Sequence, residues 1–387
     1  MSTISAVEAV VVNVSPKTNW TFVAVTTSDG ITGWGECSLN GYEALLVAQA
    51  QMLARDAVGR PLDDAPAITR YFPHAPAGLV EHAVKSAVEQ AMTDLRARTA
   101  GTSIARLLSS TPRASVIGYA NINRGVLVRT PAGFADAARR AVAAGYRAIK
   151  LAPFDGVVAE DAATTPIDAR IRDGLDRVFA VRDAVGATVD VMVDCHWRFD
   201  VERAERLLRD IAPARLYWIE CMVSERPLML GAVARLTAMA HDYGMRTAGA
   251  ETIPGADAAH AMCEARAYDV LMPDIKYAGG FAGMLAIAQV CADHGVAFSP
   301  HNPSGPICHV ASVHVAAVAP AFLRLEHQWN ETPLFATLVA GAVPPLVDGA
   351  FVVPSAAGLG ATLDRAVAAA HPARALARGA NLDPRLG

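Results

Sequence analysis

Lysine is scarce in this chain. Of 34 basic residues only four are lysines, Lys17, Lys85, Lys150 and Lys276, so arginine supplies nearly all of the cationic surface and the place of each lysine carries information. A formal net charge of −4 offers no basic footprint for nucleic acid. Apolar residues make up 52% of 387, but as alanine and valine spread through the chain. No unbroken apolar run reaches the ~18–20 residues that span a bilayer. The six cysteines form neither a CxxC pair nor any metal-ligand spacing. That argues against a disulfide framework or a zinc site and for buried thiols in a reducing compartment. The opening MSTISAVEAVVVNV lacks a basic n-region, so no secretory signal is visible and a cytoplasmic protein is expected.

What the sequence does contain is two rhythms. The first ~30 residues alternate apolar and polar positions, with a Ser-Asp-Gly turn at 28–30, and predict antiparallel strands. From Tyr42 to Leu108 the apolar spacing becomes three and four, which predicts helices. Residues 1–115 thus read as an α+β capping domain. Beyond it, eight short strands alternate with amphipathic helices: 116–122, 147–152, 188–194, 216–220, 246–251, 269–274, 296–300 and 322–326. Such alternation predicts a (β/α)8-type barrel over 116–340. A doubly wound sheet would want a glycine-rich phosphate turn after an early strand, and none is present. The segment 341–387 returns to strand and turn character and is expected to rejoin the capping domain.

The informative residues close the strands. Strands three, four and five end in Asp194, Glu220 and Glu251. A single strand-terminal acid can cap a helix or pair with an arginine. Three in succession at the C-terminal rim of a barrel instead offer the hard oxygen donors that Mg2+ takes. The next strands end in Asp274, His301 and Glu326. Asp274 can accept from one nitrogen of His301, the arrangement of a general base.

These motifs, VMVD, YWIE, AGAE, MPDIKYAGG and SPHNPSG in that order, together with GWGECS and GLGATLD, resemble the enolase superfamily, and within it the mandelate racemase subgroup. The resemblance covers essentially the whole chain. It implies Asp194, Glu220 and Glu251 as Mg2+ ligands, His301 with Asp274 as the base dyad, and Glu326 as a group acting on the substrate carboxylate. Members usually carry Lys-x-Lys at the end of strand two; here the segment is Lys150-Leu151-Ala152, so the second lysine is missing and a two-base racemisation is disfavoured. His196, two residues after Asp194, is expected to share a strand face with it and point into the same pocket, and resembles the acid that expels the 3-hydroxyl in acid-sugar dehydratases. Cys195 and Cys221 alternate with the ligands and are expected to face the helices.

Lys150 and Lys276 lie at strand ends and are expected at a substrate carboxylate or enediolate. Asn121 and Asn123 are candidates for substrate hydroxyls. Lys17 and Trp20, in the stretch between the first two strands, are candidates for a lid over the barrel mouth. The expected activity is Mg2+-dependent dehydration of a sugar acid, an aldonate or aldarate, to a 2-keto-3-deoxy acid. A racemase, epimerase or cycloisomerase is the alternative through the same enediolate, and a non-catalytic carboxylate-binding barrel the alternative outside enzymes. The expected partner is a small carboxylate, with neither nucleic acid nor membrane, and the resemblance implies a homo-oligomer.

Overall fold

A computed structural model of the chain describes residues 2–62, 78–158, 167–341 and 343–376. Strands β1 (Ile4–Ser15), β2 (Thr18–Thr27) and β3 (Thr32–Glu36) form an antiparallel sheet, with Gly30 at positive φ in the expected turn. Helices Glu43–Ala57 and Leu79–Thr99 cover one face of this sheet. β3 approaches the second helix so closely that a Cβ at Gly33 or Gly35 would sit on the carbonyl oxygens of Ala91 or Ala87. That contact explains both glycines of the GWGE motif: only a residue without a side chain lets sheet and helix backbones meet.

The barrel strands are β4 (Ser115–Asn121), β5 (Ala148–Leu151), β6 (Asp190–Asp194), β7 (Trp218–Glu220), β8 (Arg246–Gly249), β9 (Val270–Leu271), β10 (Ala297–Phe298) and β11 (Leu325–Gln328). Neighbours pair in parallel from β4 to β10, and β11 pairs in parallel with β4. A parallel bridge between Phe298 and Phe322 completes the ring. The regular ladders are shorter than the apolar runs suggest. Glu251, Asp274 and His301 stand just past their strands, whereas Glu326 lies inside β11, opposite Tyr119. Tyr119, Met192, Trp218, Ala248, Val270 and Met272 pack the barrel interior beneath the carboxylate rim.

The tail divides its contacts. The hairpin of β13 (Leu346–Val347) and β14 (Ala350–Val352) adds to the barrel, β14 running antiparallel to β4. Strand β12 (Val339–Gly341) pairs with β15 (Ala361–Leu363), and helix Arg365–Ala370 then packs on β1. The expectation that all of 341–387 rejoins the capping domain is therefore corrected for 346–352. The reason is that β4 has an open hydrogen-bonding edge at its N-terminal end, where β11 begins pairing only at Gly118. Residues 377–387 lie outside the described part.

Two acids of the capping domain clasp the barrel. Glu36, at the end of β3, is buried and accepts from the backbone N–H groups of Gly305 (2.7 Å) and Cys308 (2.9 Å), where helix Pro306–Val318 begins. Glu89 accepts from Phe281 N–H (2.6 Å) and Ala282 N–H (3.3 Å), in the first turn of helix Gly280–His294. Each carboxylate satisfies orphan donors of a helix start and faces the positive end of its dipole. Burial nevertheless pushes Glu89 up to about 7, with the two backbone donors opposing it. An acid raised in the folded state contributes its full stabilisation only below the unfolded glutamate range, where both states are protonated. Its stabilising contribution is therefore lost as pH rises from the ordinary glutamate range through about 7. The denaturation midpoint of Glu89→Gln should accordingly vary less across that window than the wild type's, as urea titrations at a series of pH values would show.

Candidate active site

Six of the strand ends converge at one rim of the barrel. Asp194 closes β6, Glu220 closes β7, and Glu251 follows β8; all three are buried. Behind each of them the backbone turns sharply through residues with positive φ: His196 (49°) and Trp197 (55°), Cys221 (51°), and Ala250 (75°), which precedes Glu251. Non-glycine residues rarely occupy this region, and such strain tends to collect at functional sites.

The turn at His196 corrects one expectation and keeps its outcome. β6 ends at Asp194, so His196 does not share a strand face with it. The turn brings the imidazole back, so that Nε2 lies 2.6 Å from Asp194 Oδ2 while the His196 N–H donates to Oδ1 at 2.8 Å. Burial alone would raise Asp194, but His196 and then Lys150 hold it well below the usual carboxylate range.

Cys221 is a second correction. The positive φ rotates its side chain away from the helices, and Sγ lies 3.6 Å from Glu251 Oε1 and 3.7 Å from Glu225 Oε1. Among the described residues, the donor atoms of Asp194, Cys221 and Glu251 lie within 4.8 Å of one another. Glu220 is held to one side of this group. Its oxygens accept from Lys150 Nζ (2.7 Å) and Trp218 Nε1 (2.6 Å).

Lys150 lies fully inside, bridging Glu220 and Glu326 (2.9 Å). Burial would lower its pKa, yet the two carboxylates keep it well above the ordinary lysine value. Glu326 also accepts from Asn121 Nδ2 (2.7 Å) and from the Asn302 N–H (3.0 Å). One ammonium thus faces Glu220, Glu326, Asp194 and Glu251, and burial together with this excess of like charge raises Glu220 well above the usual range. A divalent cation relieves such a surplus, and carboxylate oxygens are the donors Mg2+ prefers.

Asp274 and His301 meet as expected, Nδ1 to Oδ2 at 2.9 Å. The other ring nitrogen, Nε2, points toward Glu251 Oε2 at 3.3 Å. Lys276 Nζ donates to Asp274 Oδ2 (2.7 Å) and contacts Ser304 Oγ. Burial would raise Asp274, but Lys276 and His301 keep it ionised. Lys276 is buried against Asp274 and Ser304, and so supports the dyad from behind.

Three weaker candidates fall elsewhere. Asn123 is half-buried and its Oδ1 accepts from Arg129 Nη2 (3.0 Å), which draws it toward the loop after β5. Trp20 is no surface lid: it is 1% exposed, in the third position of β2, edge-on to Phe335 at 6.0 Å. Its place on the sheet's inner face, not its size, decided that. Lys17 is exposed at the hairpin tip. The tip itself is pinned to the barrel, since Ser15 Oγ donates to Glu331 Oε1 at 3.3 Å and Thr18 Oγ1 contacts the same oxygen.

The Enolase C-terminal domain-like family model matches residues 133–367, and the mandelate racemase / muconate lactonizing enzyme N-terminal domain model matches 6–109. The chain belongs to the enolase superfamily. Within it, a D-gluconate dehydratase of Thermoproteus tenax is 28% identical over 387 aligned positions, covering 95% of this chain and 73% of the relative. A D-galactonate dehydratase of Verminephrobacter eiseniae is 26% identical, covering 81% of this chain and 77% of that protein. Among solved structures, a mandelate racemase/muconate lactonizing enzyme from Jannaschia sp. superposes with a TM-score of 0.84 at 26% identity, covering 96% of this chain and 98% of the other.

Three residues that hold the rim's side chains or loops are not singled out by the sequence. Trp218 lies one turn of the pleat below Glu220, and an indole donor to a carboxylate is invisible until the pairing is known. Ser304 sits in a loop, behind Lys276. Glu36 belongs to another domain altogether. The alternation that signals Glu220 also argues wrongly for an outward Cys221, because a single left-handed residue inverts the face without changing the composition.

Proposed function

We propose that this superfamily member is a hydro-lyase that dehydrates a sugar acid, an aldonate or aldarate, to a 2-keto-3-deoxy acid with Mg2+. The observation that carries the reading is a pair of imidazoles on opposite sides of the carboxylate cluster: His301 on the Asp274 side, 3.3 Å from Glu251, and His196 on Asp194 at 2.6 Å. Dehydration needs one group to take a proton from C2 and another to give one to the departing 3-hydroxyl. The names of the two dehydratase relatives support the same reaction type and substrate class.

Buried carboxylates fit a hard divalent cation. Asp194 and Glu251 would hold it, with Glu220 as the third ligand, since each Glu220 oxygen retains a lone pair beyond the one given to Lys150 or Trp218. When bound, Mg2+ draws charge from the substrate carboxylate and makes its α-proton more acidic. His301 takes that proton at Nε2, while Asp274 on Nδ1 fixes the ring and stabilises its charge. Lys150 holds the enediolate charge from the β5 side, with Glu326 on β11 positioning its ammonium. His196 then protonates the 3-hydroxyl, water leaves, and the enol tautomerises to the ketone. Ala152, where family members with two opposed bases carry lysine, leaves no second base on that strand.

A library of aldonates and aldarates incubated with enzyme and Mg2+ should give a semicarbazide-reactive 2-keto acid with at least one member. Chelation should abolish the product and added Mg2+ restore it. Exchange of the α-proton without any keto acid would instead mark an epimerase or racemase. Neither exchange nor product across the library would remove the catalytic reading.

A further inference from the structure

His309, on helix Pro306–Val318, is a fully buried imidazole that the dehydration steps leave unused. Its ring is packed by His327 (centroids 4.6 Å apart), Phe351 (4.7 Å) and Phe335 (5.6 Å), company in which a phenyl ring would sit as well. Burying a polar group costs free energy unless it is hydrogen-bonded. The one hydrogen bond that His309 makes among the described residues is at Nδ1, 3.0 Å from Asn302 Nδ2; Nε2 has no partner among them. A second bond fixes the direction of the first. Asn302 Nδ2 also lies 3.0 Å from the backbone oxygen of Glu326, which can only accept, so the amide nitrogen faces both atoms and donates one hydrogen to each. His309 Nδ1 therefore accepts, and its proton sits on Nε2. Burial, aided by His327, holds the imidazole pKa well below its ordinary value, which keeps the accepting nitrogen bare.

Asn302 stands between two parts of the site. It follows the base His301, and its own N–H donates to Glu326 Oε2 at 3.0 Å. Its amide thus holds Glu326 at the main chain and its backbone holds the carboxylate, whose other oxygen meets Lys150 Nζ at 2.9 Å. We propose that His309 is a positioning residue for the dehydration: by anchoring the Asn302 amide it fixes Glu326, on which the Lys150 ammonium rests, against the residue that follows the base. The inference rests on the dehydration reading. A misplacement of about 1 Å costs ~10²-fold in rate even when its cause lies away from the reacting atoms. The loss falls on turnover, because Lys150 meets the enediolate charge only as it forms.

The test compares two variants of one shape in the full-length protein. His309→Asn keeps an acceptor near the place of Nδ1, and His309→Leu fills a similar volume without one. With a sugar acid that the library identifies and saturating Mg2+, His309→Leu should show a kcat about 10–100-fold below that of His309→Asn. KM should differ between them by no more than about threefold, the split expected when an interaction of the transition state is lost. His309→Asn should keep kcat within about fivefold of the wild type. Equal losses in the two variants, the mark of packing alone, overturn the proposal, and so does a wild-type kcat in His309→Leu. Should His309→Leu not fold, the wild type decides by NMR with 15N-labelled histidine, the His309 signals being identified by their absence from His309→Asn. A ring with its proton on Nε2 and Nδ1 bare supports the proposal. A proton on Nδ1 overturns it, since that nitrogen could not accept from Asn302. Failure of the underlying reading looks different: the wild type then yields no keto acid from any sugar acid, while the His309 tautomer is unchanged.

Discussion

His301→Asn should abolish washing-out of the α-proton into deuterated water and lower dehydration by ~10²–10⁴-fold, the range a positioned general base contributes. The ring lies between Asp274 at 2.9 Å and Glu251 at 3.3 Å, and asparagine can keep a hydrogen bond to Asp274 while offering no basic nitrogen toward the cluster. Substrate affinity and Mn2+ binding should change little, which separates loss of the base from loss of the site. Exchange monitored by NMR at the wild-type rate would take His301 out of this role. His196→Asn should behave differently: exchange continues while keto-acid formation stops, since only the departure of the 3-hydroxyl needs the second imidazole.

Lys150→Met should be the most destabilising single change at the site. It leaves Glu220 and Glu326 facing each other across a buried volume with no cation between them. Breaking a buried pair by removing one partner costs ~3–5 kcal/mol, far more than the pair is worth against an apolar replacement. The midpoint of urea denaturation should fall accordingly. Adding Glu220→Gln to Lys150→Met should recover part of the loss, because one uncompensated charge disappears. An undiminished midpoint in Lys150→Met would show that the ammonium is not what balances these carboxylates.

Much of this arrangement can be read from strand ends. Apolar strands followed by Asp194, Glu220, Asp274 and Glu326 give the barrel, its rim and most of its charges, because period and strand-terminal chemistry are local properties. What escapes is whatever depends on a single backbone angle or on a distant partner. Cys221 and His196 reach the pocket through positive φ, which no composition encodes for a non-glycine residue. Trp20, expected between the first two strands, lies instead within β2 and is buried. The scarce lysines are informative in part: Lys150 and Lys276 are both buried at the rim, whereas Lys85 pairs with Glu81 on a helix and Lys17 marks only a hairpin tip.

The clasp formed by Glu36 and Glu89 bears on how such an enzyme can be altered. Helix Pro306–Val318 follows the loop of His301, and helix Gly280–His294 follows the loop of Asp274; the amides that open both helices are satisfied from outside the barrel. A barrel cut free of residues 1–115, or fused to a capping domain lacking acids at these two positions, would begin both helices with unanswered donors directly behind its base. Exchange of whole domains between relatives is therefore a poor route to new specificity here, and recombination that keeps each acid with its helix start is the better one.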